Sequence, residues 1–257
     1  MRLSNSAYED LRRCPYRFFA LRQLKLQESD ELETELGKRD FGNWLHQVLK
    51  LFHEALQSAP TPELTARLDL INVAAGQATQ QLGLSQSDFL PFAAAWPQVR
   101  AGYLEWLAAH EASGATFLAA EAWKETPLGG LILVGRIDRI DHLADGSRLV
   151  IDYKTEARNT TAERIKASLE DTQLAFYAAL LGDDTLAGVY VNVGAREGTK
   201  SYSQADVVGM RDQLLQGIAN DMARIAGGAL MPALGEGKAC EFCAARGLCR
   251  KDFWTLE

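Results

Sequence analysis

Residues 135–155 read GRIDRIDHLADGSRLVIDYKT, and Asp138, Asp152 and Lys154 stand there on otherwise apolar, strand-like stretches. Burying charge is costly unless something offsets it. Side chains alternate across a strand with period two, which puts Asp152 and Lys154 on one face with Val150, leaving Ile151 and Tyr153 on the other. By the same rule Asp138 shares a face with Arg136 and Val134. Asp145-Gly146 is a turn signal, so the two strands are expected to pair as a hairpin and bring Asp138 and Asp152 to one spot. Two carboxylates held that close repel, and one tends to take up a proton. A divalent cation such as Mg²⁺, which prefers carboxylate and water oxygens, removes the conflict. Lys154 beside such an ion could orient or deprotonate a water, or stabilise charge on a phosphate. A D-x-K alone is more often a solvated surface hairpin, so the reading depends on the rest of the chain.

The four cysteines form a second constellation: Cys14 stands alone, while Cys240, Cys243 and Cys249 make C-x2-C-x5-C. This is not the logic of disulfides in a cytosolic protein. Four thiolates can hold zinc or an iron–sulfur cluster. Joining residue 14 to residues 240–249 would close a loop of over 220 residues and remove chain entropy. It would also bring Arg12, Arg13 and Arg17 beside Arg246 and Arg250. Tyr16, Phe18, Phe19 and Phe242 lie among them, rings of the kind on which single-stranded nucleic acid stacks.

The elements that must position these groups follow from local pattern. A helix is expected from about Ser4 to Gln23, capped by Ser4 or Asn5 and broken or restarted at Pro15. A charged linker, residues 27–40, leads to FGNWLHQVLKLFHEAL, where Leu45, Leu49, Phe52 and Leu56 have amphipathic helical spacing. Residues 62–112 read as a helical insertion. Strands are expected over ATFLAAEAWKE, GLILVGRIDRID and RLVIDYKT, then a helix over ASLEDTQLAFYAALL, a strand over LAGVYVNV, and a helix from about Gln204 to Ala226. The whole is read as one domain, residues 1–257.

Hydrophobic residues make up 47% of the chain and charged residues 24%, an ordinary globular balance. No apolar run of membrane-spanning length and no secretory leader is evident, so a cytoplasmic protein is expected. The net charge of −7 gives no global attraction to nucleic acid, although the segment from Leu11 to Gln27 carries five cations and no acid. That leaves open two readings of the segment, a local basic groove or a solvated helix face. No P-loop is present, so the chain has no visible motor of its own.

GRIDRID followed by VIDYKT resembles the core of the PD-(D/E)xK nucleases, in particular the RecB-like branch that includes the nuclease domains of RecB and AddB and the CRISPR-associated adaptation nucleases. The resemblance implies an α/β fold with a restriction-endonuclease-like core of helix, three strands, helix and strand, which matches the element order above. GNWLHQVL resembles the helix that supplies a metal-binding histidine and implies that role for His46. QLAFYAALL resembles the Q-x3-Y helix, implying active-site support or DNA contact from Gln173 and Tyr177. Glu121 occupies the position of an acidic residue near the metal. The resemblance thus implies a Mg²⁺- or Mn²⁺-dependent deoxyribonuclease whose metal is held by His46, Asp138, Asp152 and the carbonyl of Tyr153, with Lys154 positioning water. Its implied substrate is DNA, as an end or a single strand, in recombination or double-strand-break repair, with a helicase subunit or domain as a possible partner. LRRCPYRFFA and CEFCAARGLC resemble the two halves of a 4Fe–4S motif in the same branch, implying that Cys14, Cys240, Cys243 and Cys249 hold such a cluster, with zinc the alternative. A non-catalytic, cluster-stabilised DNA-binding or scaffold module is the competing reading. An iron–sulfur redox protein is a weaker one, because no flavin or nicotinamide fingerprint is present.

Overall fold

The computed structural model describes residues 1–26, 37–85, 92–166, 169–184, 186–241 and 243–251. Most of the charged linker, part of the helical insertion and Phe242 lie outside them.

The N-terminal pattern folds as its caps dictate. After a two-residue strand β1 (Arg2–Leu3), Ser4 caps α1 (Asn5–Arg13), its hydroxyl accepting from the Ala7 N–H at 3.2 Å. Cys14 is extended, and Pro15 opens α2 (Pro15–Phe18), since a missing N–H costs nothing at the first helical position. A π-helical turn, Phe19–Gln23, follows. Next come α3 (Lys38–Ser58), α4 (Leu64–Gln81) and α5 (Trp96–Ala112). Three long strands succeed them, β2 (Thr116–Leu128), β3 (Leu131–His142) and β4 (Arg148–Lys154). The chain continues through α6 (Arg158–Arg164), α7 (Gln173–Leu181), β5 (Leu186–Gly194), β6 (Gly198–Gln204) and α8 (Val207–Ala226), ending in the short turns α9 (Lys238–Glu241) and α10 (Arg246–Cys249).

One mixed sheet runs β1-β3-β4-β5-β6, with β2 antiparallel along the other edge of β3. Helices cover both faces. Val150 and Tyr190 face α1, α7 and α8, while Ile151, Tyr153, Val189, Val191 and Val193 face α3, α4 and α5. The expected alternation therefore holds on β4. On β3 it is interrupted: Ile137 and Ile140 both face α7, yet Arg139 reaches the α3 side. Opposite this irregularity Glu121 has φ +47°, a conformation costing a non-glycine residue about 1–2 kcal/mol. The apolar stripe of α3 is fully buried, and the helices of 62–112 complete the core on that face. Strand β6 escaped the sequence reading because GTKSYSQ is polar and lines the sheet edge without apolar alternation. Among the described residues no helix is long and apolar enough to cross a membrane.

Candidate active site

Strand β3 is shared between two neighbours on one edge: β1 pairs with residues 132–133 and β4 with residues 139–142. The β3–β4 ladder ends at Arg139↔Ile151, so the next residues, Asp138 and Asp152, face each other where the strands part. The vacated backbone is satisfied by a side chain: the Tyr153 N–H donates to Asp138 Oδ2 at 2.9 Å. From α3, His46 Nδ1 comes within 3.5 Å of that same oxygen and 3.3 Å of Glu121 Oε1. Ligand atoms of His46, Glu121 and Asp138 all lie within 4.8 Å of one another. Asp152 stands beside this triplet, and Lys154 Nζ is 2.6 Å from its Oδ2. The ammonium is off the hydrogen-bond direction, which leaves Asp152 Oδ2 buried without an aligned donor.

A hydrogen-bond chain runs over the α7 side of the cluster. Lys154 Nζ donates to Gln173 Oε1 (2.9 Å), Gln173 Nε2 donates to the Tyr177 hydroxyl (3.1 Å), and that hydroxyl donates to Asp138 Oδ1 (3.1 Å). Gln173 and Tyr177 can bracket the two catalytic strands this way because residues four apart share a helix face.

The electrostatics follow from burial and like charge. Asp138 is pushed up to about 7, first by burial and then by the adjacent Asp152 carboxylate. Burial alone would depress His46, yet the negative charge of Asp138, the contact with Glu121 and the charge of Asp152 raise it to about 9. Burial, with Asp138 and Asp152, holds the Tyr177 hydroxyl well above its ordinary value, so it stays a donor. Three carboxylates face one imidazole and one ammonium, with the exposed Arg136 guanidinium at the rim against Glu121. The imidazole and carboxylate donors, with an orphaned carboxylate oxygen, fit a hard divalent cation such as Mg²⁺ or Mn²⁺.

The structure also gathers a cluster that sequence reasoning missed. Arg139, 1% exposed, donates to Asp141 Oδ1 (2.7 Å), to His53 Nε2 (2.7 Å) and to the Tyr103 hydroxyl (3.1 Å). Tyr103 meets the Tyr153 hydroxyl at 2.8 Å, and His110 Nε2 meets Asp141 Oδ2 at 2.8 Å. Strand parity carried the signal: Arg139 and Asp141 fall on the face opposite Ile140.

All four cysteines line one small cavity of about 20 Å³, together with Tyr16, Arg17, Gly235, Arg246 and Lys251. None is disulfide-bonded. A Cβ on Gly235 would sit 3.2 Å from Cys240 Sγ and 3.3 Å from Cys14 Cβ, so glycine lets the cradle close without pushing the cysteines apart. Tyr16 N–H donates to Pro232 O at 3.2 Å and Arg17 to Ala239 O at 3.3 Å, tying the two chain regions together, while Lys251 donates to Gly235 O at 2.7 Å within the C-terminal one. Four thiols gathered beside three cationic side chains fit a group that binds thiolates. The arginines of the N-terminal segment are partly paired: Arg12 and Arg13 return to Glu9 at helical spacing, and Arg17 and Arg22 reach Asp10 across the break at Cys14, so four guanidiniums share two carboxylates. Phe18 is core rather than a stacking surface.

The PD-(D/E)XK nuclease superfamily matches residues 2–250, and the chain belongs to it. A crystal structure titled as a "putative exonuclease" from Eubacterium rectale is similar at a TM-score of 0.49 and 12% identity, over 100% of this chain and 89% of that one. The crystal structure of SSO0001 is similar at a TM-score of 0.39 and 16% identity, over 99% of this chain and 87% of that one. No curated protein matches the sequence.

Proposed function

We propose that the protein is a Mg²⁺- or Mn²⁺-dependent deoxyribonuclease of the RecB/AddB-like branch, acting on DNA ends or single strands in recombination or break repair, in the cytoplasm and alongside a helicase. The observation that carries the reading is the placement of Asp138 and Asp152 opposite each other at a strand split, with His46, Glu121 and Lys154 around them. His46, Glu121, Asp138 and Asp152, with the carbonyl of Tyr153, would hold the metal. When bound, it supplies Lewis-acid stabilisation of the phosphoryl oxygens and a more acidic water. Lys154 positions the attacking water and keeps positive charge beside the developing phosphorane. Gln173 fixes the Lys154 ammonium, and Tyr177 fixes Asp138 by donating to the oxygen that His46 does not face. Cys14, Cys240, Cys243 and Cys249 would hold a 4Fe–4S cluster, which staples the N-terminal helices to the C-terminal turns.

The test uses anaerobically purified protein with end-labelled single- and double-stranded DNA, with Mg²⁺, Mn²⁺ or chelator. Metal-dependent cleavage that both Asp152→Ala and Lys154→Ala lose, with their folds unchanged, is expected. Activity persisting in either variant would overturn the assignment. Binding without any cleavage by the wild type would favour the scaffold reading.

A further inference from the structure

The α3 side of β2 and β3 continues past the metal cluster as a row of paired positions. Trp123 and Arg136 are partners in the β2–β3 ladder and so share one face of the sheet, two residues beyond Glu121 on β2 and two before Asp138 on β3. Arg136 Nη1 approaches Glu121 Oε2 at 3.7 Å, which fixes that face as the one carrying the cluster. Trp123 is 54% exposed, an unusual outcome for the residue with the largest apolar side chain. Its orientation is set rather than free. The indole N–H donates to Glu125 Oε1 at 2.8 Å, and Arg2 pairs with that same carboxylate oxygen. The ring is thus anchored by one edge beside an exposed guanidinium. Two strand residues span about 7 Å, so the pair stands within a single nucleotide's reach of the cluster.

An exposed aromatic face and a cation side by side recognise an unpaired nucleotide: the ring stacks a base and the guanidinium meets a phosphate oxygen. We propose that Trp123 and Arg136 form a nucleotide subsite adjoining the cleavage centre. Trp123 stacks one unpaired base of the DNA strand, and Arg136 holds a flanking phosphate. A base paired within a duplex is already stacked on both faces and cannot use the ring, so the subsite selects frayed ends and single strands. The inference rests on the DNA-cleaving reading of the adjoining site and adds the strand preference.

The test compares wild type, Trp123→Ala, Trp123→Phe and Arg136→Gln. Each is assayed for cleavage and, with Asp152→Asn added to stop cleavage, for binding of fluorescein-labelled oligothymidylate and of a blunt duplex. Trp123→Ala should weaken single-strand binding about tenfold, the loss of one base–aromatic stack, with duplex binding unchanged. Trp123→Phe keeps a ring and should stay within about twofold. Arg136→Gln should lower the logarithmic salt slope on single strands by about 0.7, one phosphate contact. Unchanged single-strand binding in Trp123→Ala, or an equal loss on duplex, overturns the subsite. If the wild type still cleaves in that case and Asp152→Ala does not, the nuclease reading stands without it. Should the wild type neither bind nor cleave, both fall.

Discussion

Two charged clusters meet at opposite ends of Tyr153, and α3 supplies a histidine to each, seven residues apart. At the backbone end, His46 faces Asp138 and Glu121 with Asp152 behind them, and three carboxylates crowd one spot. At the hydroxyl end, His53 faces Arg139, and the charges close: Arg139 is matched by Asp141, and Asp141 by His110. An arginine can only donate, so His53 Nε2 must accept and the ring must be neutral. Burial, reinforced by Arg139, pushes His53 well below its usual value, whereas His46 rises to about 9. The same residue type on the same helix is thus a neutral acceptor in one place and a protonated stand-in for a cation in the other. A satisfied buried network stabilises a fold, and an unsatisfied one with surplus carboxylates waits for a ligand.

The sharpest way to break this contrast is to remove one charge from each side. Arg139→Met leaves Asp141 in the core with His110 as its remaining partner and His53 and Tyr103 without their shared donor, and should cost about 3 kcal/mol of stability, the low end for a broken buried pair. Asp138→Asn relieves repulsion with Asp152 and should leave the metal-free protein as stable as wild type or more so, while abolishing cleavage. Denaturant melts of both variants in chelator decide it. Equal destabilisation would mean that the metal cluster is as self-sufficient as the buried one.

The second test uses pH, because the two histidines predict opposite slopes. A raised folded value means that the fold binds protons more tightly than the unfolded chain. The stability from Asp138 and His46 is therefore full at low pH and is lost as pH rises through about 7 and then about 9. His53 is depressed, so its contribution is present above about 6.5 and lost as pH falls below that. Each limb approaches about 1.4 kcal/mol per pH unit per proton. His53→Phe should remove the rise toward about pH 6.5 and uncover the opposing fall from Asp138, which is complete by about 7. Asp138→Asn, or Mn²⁺, should flatten the alkaline limb, and stabilisation by the metal should grow with pH because the ligands must shed protons to bind it. Melting curves from pH 5 to 9 with and without Mn²⁺ check both signs; parallel limbs in all samples would refute the assignment.

The two clusters were not equally legible in the sequence. Asp152 and Lys154 could be placed from strand alternation, and Gln173 with Tyr177 from helical spacing, since both are local rules. The tandem RIDRID hides the rest. Its two Arg-Ile-Asp units look equivalent, yet Asp138 enters the strand split and Arg139 and Asp141 enter the core. What separates them is the break in alternation opposite Glu121, together with partners on α3 and α5 that are distant in sequence. Pairing at the start of the chain was hidden in the same way: no acid lies among the arginines from Leu11 to Gln27, yet Asp10 meets both Arg17 and Arg22 from seven and twelve residues upstream. Edge strand β6 carried no apolar signal at all.

A smaller effect is expected within the metal cluster from its hydrogen-bond chain. Gln173→Ala removes the acceptor that holds Lys154 and a donor to Tyr177, so the ammonium keeps only its ion pair with Asp152 and loses its fixed direction. Cleavage should fall about tenfold to a hundredfold, within the general range for a positioned acid–base group, while metal-induced stabilisation is unchanged. A matching loss of metal binding would place Gln173 with the ligands rather than with Lys154.

The smallest change tests whether the two clusters communicate. Tyr153 donates its backbone N–H to Asp138 while its hydroxyl meets Tyr103 at 2.8 Å. Tyr153→Phe deletes the hydroxyl alone and leaves the backbone donor in place. Loss of one buried hydrogen bond should cost about 1 kcal/mol. If the closed network orients the strand end that carries Asp152 and Lys154, cleavage should also fall a few-fold, with the metal concentration for half-activity raised. Tyr103→Phe is the control: its hydroxyl lies one hydrogen bond farther from the metal cluster and also bonds His53 and Arg139, so it should cost at least as much stability without touching the strand that carries Asp152. Equal cleavage in Tyr153→Phe and wild type, with the stability loss present, would show that the buried network only holds the sheet together and that the strand split is rigid without it.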